Sequence, residues 1–130
     1  MNTYTTIQHL NYFETAIWPV GQTPLLNLKA TAAAAGLPDS IHLLAKAEWF
    51  NPSGSFKDRA AKRIIQVAEA EGKLWPGMTL LDSSSGNMAL AYATLGRLPG
   101  YKVKLVVPAN ATPARLALLR NYGLDLTLTD

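Results

Sequence analysis

The 130-residue chain contains no cysteine, so disulfides and thiolate metal sites are both excluded. Its two histidines, His9 and His42, stand far apart and show no metal-ligand spacing, and no metal site is expected. Charged residues make up only 16% of the chain and leave a net charge of +3, with the basic side chains scattered. That pattern argues against a nucleic-acid partner. No apolar run approaches the length needed to cross a bilayer, so no membrane span is expected. The segment Met1-Asn2-Thr3-Tyr4-Thr5-Thr6 lacks the basic and apolar regions of a secretory leader, which makes the cytoplasm the expected location. Repeats, low-complexity linkers, a phosphate-binding G-x-x-x-x-G-K-[ST] loop, a G-x-G-x-x-G turn and a G-x-S-x-G elbow are all missing.

The apolar content, 48%, is enough for one hydrophobic core. Residues 1–22 are poorly patterned. Strands are expected near 23–29, 41–47, 78–82, 103–107 and 125–129, and helices near 30–35, 56–71, 88–98 and 112–122. Gly36, Gly72 and Gly123 mark helix ends. Thr112 followed by Pro113 marks a helix start. Strand and helix alternate, so the expected fold is α/β: a small parallel sheet of the last four strands, with helices on both faces. Trp18, Trp49 and Trp75 have no spacing of their own and are expected in the core or at a partner contact.

The most informative stretch is Asn51-Pro52-Ser53-Gly54-Ser55-Phe56-Lys57-Asp58-Arg59. Ser55 is a candidate N-cap, and Asp58, three residues on, makes a loose capping box. The helix that follows carries an apolar face of Ala61, Ile64, Ile65 and Ala68, and helical spacing puts Lys57 on that face. Burial disfavours a charged amine, and a lysine without its proton is a nucleophile suited to Schiff-base chemistry. Asp58 and Arg59 read as structural, one complementing the helix dipole and the other an ion-pair partner. A second cluster, Ser83-Ser84-Ser85-Gly86-Asn87, lies where a strand turns into a helix. Hydroxyls, backbone N–H groups and the helix dipole converge there, which suits a carboxylate or phosphate, although N-capping by serine explains one or two of these residues. Gly86 allows close approach of backbone to a ligand.

The segment from Asn51 to Arg59 resembles the lysine motif N-P-x-G-S-x-K-D-R of the cysteine synthase/tryptophan synthase β family, the fold-type II pyridoxal phosphate (PLP) enzymes. Gly21-Gln22-Thr23-Pro24-Leu25 looks like that family's G-N-T-P-L, and Ser84-Ser85-Gly86-Asn87 like its S-G-N loop. Val106-Val107-Pro108 and Tyr122-Gly123 are weaker matches, and the resemblance covers about residues 20–130. It implies that Lys57 holds PLP and serves as the general base. It also implies that Asn87 hydrogen-bonds the 3′-oxygen of PLP, and that Ser84, Ser85, Gly86 and Met88 border the substrate carboxylate. Cysteine synthases usually read T-S-G-N-T-G, whereas this chain has Ser84, Met88 and Ala89 at the first, fifth and sixth positions.

The implied activity is PLP-dependent β-replacement or β-elimination on a small amino-acid substrate, serine- or O-acetylserine-like. Threonine synthase-like, dehydratase-like and diaminopropionate synthase-like enzymes are the alternatives, together with a non-catalytic truncated paralogue that binds a partner. In the resembled family a second domain supplies a glycine-rich phosphate loop. The expectation is therefore an N-terminal arm (1–40) and a small α/β domain (41–130), with the second domain absent and the isolated chain inactive. A homodimer or a complementing C-terminal half would complete the site. The arm, with Leu25, Leu26 and Leu28, is expected to find no partner strand in its own chain.

Overall fold

The structure, a computed structural model, describes residues 19–129; residues 1–18, including His9 and Trp18, and Asp130 lie outside that range. It contains two sheets. Strands β1 (Leu25–Asn27) and β2 (Leu44–Lys46) pair antiparallel, with Leu25 opposite Lys46 and Asn27 opposite Leu44. Helix α1 (Lys29–Ala34) lies between them, and a single 3₁₀ turn (Glu48–Phe50) follows β2. Next come helix α2 (Lys57–Ala70), β3 (Thr79–Ser83), α3 (Asn87–Leu95), β4 (Lys102–Pro108), α4 (Pro113–Asn121) and β5 (Asp125–Thr129). The last three strands form a parallel sheet in the order β3-β4-β5. The α/β unit expected from strand–helix alternation is present.

Two expectations about pairing are corrected. The strand near 41–47 does not join the parallel sheet, and the arm does find a partner, because the two pair with each other. The hairpin-like unit spans the boundary expected at residue 40. Leu28 N donates to Leu43 O, and Ala47 N to Pro24 O, each at 2.9 Å, so these bonds frame a ladder only three residues long. A short apolar run carries no mark of its partner, since strand preference reports a half-buried pleated surface and not an address.

Helix α2 is rich in good helix formers and ends in a Schellman motif. Gly72, at φ +66°, donates to Glu69 O, and Lys73 N donates to Ala68 O. Its Ala61 and Ile65 are fully buried against the main core, while Ile64 turns outward, 49% exposed. Helix α3 brings Ala89, Ala91 and Ala93, small enough for α2 to pack closely. It stops before residue 98, at Gly96, where a Cβ would stand 3.0 Å from Val103 Cγ2 and 2.7 Å from Tyr92 O. Thr112 caps α4 as expected, accepting from Arg115 N at 3.4 Å with Pro113 at the first position.

The core lies on one face of the sheet. Val103, Leu105 and Val107 of β4 are buried with Leu119 of α4 and the apolar side of α3, and Leu80 and Leu126 pack against them. Leu81, on the opposite face, is 63% exposed. The β3-α3-β4 and β4-α4-β5 units step in one direction across the sheet, and right-handed crossovers of that kind deliver both helices to the same face. Trp49 and Trp75 are exposed rather than in the core, and His42 is exposed in the segment before β2.

Candidate active site

Lys57 is the first residue of α2, partly buried, with its ammonium 4.6 Å from the centroid of the exposed Phe56 ring. The loop before it is fixed at several points. Ser55, buried, accepts a 3.3 Å bond from Lys57 N through its hydroxyl, so it serves the first turn without occupying the N-cap position, which is Phe56. Asp58 does not complete a capping box. It is fully buried and turns back to the loop, accepting from Ser53 N at 2.7 Å and from the Ser53 hydroxyl. Burial pushes the Asp58 carboxyl up, against the opposing pull of those Ser53 bonds.

Behind the loop lies a cluster centred on Glu48, a residue outside the motifs. Glu48, at the start of the 3₁₀ turn, receives both prongs of Arg59: Nε to Oε2 at 2.9 Å and Nη2 to Oε1 at 2.7 Å. Its carboxylate also accepts from Asn51 Nδ2 at 2.8 Å and from Thr23 Oγ1 at 3.0 Å. The Arg59 bond foremost, with those from Asn51 and Thr23, holds the Glu48 carboxyl down at about 2 despite some desolvation. Asn51, buried, accepts from Gly21 N at 2.9 Å and donates to Glu48 O at 2.9 Å. Arg59 Nη2 donates to Gly21 O at 2.9 Å, and the Lys46 ammonium donates to the carbonyl and hydroxyl of Thr23. Gly21 sits at φ +87°, and a Cβ there would come within 2.8 Å of Arg59 Nη1. The Gly21-to-Leu25 segment is thus fastened to the lysine loop through Glu48, Asn51 and Arg59. Residues 21, 23, 48, 51 and 59 have no common period, which is why no pattern in the sequence marked Glu48 or Lys46.

The second expected cluster occupies the turn from β3 into α3, at the carboxyl end of the parallel strands, where open α/β sheets take their ligands. Ser84 N extends the ladder by donating to Val106 O at 3.1 Å. The Ser84 hydroxyl accepts from Gly86 N at 3.3 Å, an internal turn bond. No side chain caps α3, which begins at Asn87 after Gly86. The N–H groups of Asn87 and Met88 meet no protein acceptor among the described residues, so the first turn offers free donors. Gly86 has ordinary φ of −99°, and a Cβ on it would project into open space. Its value is therefore room in front of the turn and not backbone freedom. The Asn87 side chain is exposed. Met88 is partly buried and packs against the core. No hydrogen bond joins Lys57 to the Ser84–Asn87 turn among the described residues.

A groove of about 540 Å³ lies elsewhere, lined by Thr79, Arg97, Lys102, Lys104 and Asp125 among others. It sits at the amino ends of the strands, the wrong end for the chemistry of an α/β sheet. No group of three or more metal-ligating side chains occurs among the described residues, and no helix there is long and apolar enough to cross a membrane.

An amine at the head of a helix and a turn with room and free N–H donors suit a flat, anionic aldehyde cofactor and an amino-acid carboxylate. Comparison with known proteins points to the same cofactor. The family model described as pyridoxal-phosphate dependent enzyme matches residues 19–130. Cysteine synthase 3 of Caenorhabditis elegans is 43% identical over 112 residues, which are 85% of this chain and 32% of that protein. Cystathionine beta-synthase of Saccharomyces cerevisiae is 36% identical over 111 residues, 85% of this chain and 22% of that protein. Among solved structures, O-ureido-L-serine synthase superposes with a TM-score of 0.75 at 36% identity, covering 85% of this chain and 33% of that one. The chain spans about a third of the length of the Caenorhabditis elegans and Salmonella typhimurium cysteine synthases that it matches. This chain belongs to the family of pyridoxal-phosphate dependent enzymes.

Proposed function

We propose that this chain carries the lysine-bearing part of a PLP-dependent β-replacement or β-elimination site for a serine- or O-acetylserine-like amino acid. The observation that supports it most is the placing of Lys57 at the head of α2 within a loop pinned at residues 51, 53 and 55. Relatives named cysteine synthase and cystathionine beta-synthase fit that reaction class.

In this reading Lys57 holds the cofactor and later takes the proton from the substrate Cα. PLP, when bound, supplies the electron sink for the charge left at Cα. Ser85 and the N–H groups of Asn87 and Met88 receive the substrate carboxylate, with Ser84 stiffening the turn through its bond from Gly86 N. The exposed Asn87 amide addresses the 3′-oxygen of the cofactor ring. Met88 contributes its N–H, since its side chain packs on the core.

The test is PLP titration of the chain, followed by absorbance. A band above that of free PLP, lost in Lys57→Ala, supports the reading. An identical spectrum in Lys57→Ala overturns it.

A further inference from the structure

The lysine loop is held from behind by a carboxylate that lies outside the family motif. Glu48 has four donors on its two oxygens: the Thr23 hydroxyl and Arg59 Nη2 on Oε1, and Asn51 Nδ2 and Arg59 Nε on Oε2. Those donors come from three places: the segment before β1, the first residue of the loop, and the first turn of α2. Arg59 is two residues beyond Lys57, about 200° around the helix, so it grips the back of the turn whose front carries the lysine. Asn51 closes the other end, bridging Glu48 to Gly21 N. Partly exposed ion pairs add little to stability, and Arg59 is 44% exposed in its side chain. Four donors converging on one carboxylate serve orientation better than they serve energy.

We infer that Glu48 is a positioning residue for Lys57, fixing both ends of the loop and the rotation of the first turn of α2. This rests on the proposed role of Lys57 and names the group that orients it. Glutamine at this position puts an amide NH₂ against donors, because both carboxylate oxygens already face N–H groups.

The test uses the full chain, PLP and borohydride, and reads by peptide mass spectrometry the share of pyridoxyl label on Lys57 against the other lysines. Glu48→Gln and Arg59→Lys, which keeps the charge but loses the fork, are compared with Ile65→Val, a core change remote from the loop. The expected result is a fall in the Lys57 share of about threefold or more in Glu48→Gln and Arg59→Lys, within the reach of a small misplacement of a reacting group. Ile65→Val should lower the melting temperature and leave the share unchanged. An unchanged share in Glu48→Gln, with wild type labelled at Lys57, overturns this inference alone. If Glu48→Gln fails to fold, Arg59→Lys is read by the same criterion. A wild type that labels Lys57 no more than other lysines overturns the proposed function and this inference with it.

Discussion

Arg59 closes a two-pronged ion pair on Glu48, at 2.9 and 2.7 Å, and through it ties the first turn of α2 to the 3₁₀ turn that follows β2. The same guanidinium reaches Gly21 O, so a single side chain spans 38 residues of sequence. The consequences fall on stability, on pH response and on the lysine itself.

Acid should loosen this region through Glu48. Its folded value of about 2 lies below the ordinary 4.5, so its contribution is complete above about pH 4.5 and is lost as pH falls through about 2. Thermal melts of wild type and Glu48→Gln between pH 6 and pH 2 check this. The wild type should lose melting temperature across the lower part of that range, and the variant should lose less.

Asp58 acts with the opposite sign. Burial raises its carboxyl, so the ionised form costs stability above its folded value, and that cost is relieved as pH falls. Asp58→Asn removes the charge and keeps an acceptor for Ser53 N. Asp58→Ala leaves that partly buried amide without its partner, at a cost of about 1 kcal/mol. Denaturant titrations at pH 7 should therefore rank Asp58→Asn above Asp58→Ala.

Two glycines should separate fold from site. Gly21→Ala forces a side chain to φ +87° and pushes on Arg59 Nη1, and should cost about 1–2 kcal/mol. Gly86→Ala meets nothing within 4 Å and keeps an ordinary φ, so its melting temperature should match wild type. Its methyl group fills the room before the turn, and PLP titration should show weakened binding.

Met88→Thr tests the departure from the T-S-G-N-T-G pattern. Met88 packs against the core. Threonine removes that packing and should lower the melting temperature, with a cost of about 1–3 kcal/mol for a partly buried side chain. A melting temperature equal to wild type, with tighter binding of an acetylserine-type substrate, would show that this side chain belongs to the pocket.

Much of this architecture was legible in the sequence because it is written locally. Helix α2 follows from apolar spacing and a terminal glycine, α4 from Thr112-Pro113, and β4 from a run of valine and leucine. The partner of β2 was not legible, since three-residue strands specify pairing only through contacts distant in sequence. Nor was the exposure of Leu81, which looks like core in composition. At the site, Lys57 and the Ser84–Asn87 turn stood out because short motifs compress their chemistry into adjacent residues. Glu48 did not, because its partners are gathered from positions 23, 51 and 59 by folding alone.

The most direct test of the central claim is the position of covalently trapped cofactor. The chain is incubated with PLP, reduced with borohydride, digested and mapped by mass spectrometry. The label is expected to concentrate on the peptide carrying Lys57 and to vanish from it in Lys57→Ala without redistributing to one other site. Label spread over Lys62, Lys73, Lys102 and Lys104 with no preference for Lys57 would contradict it.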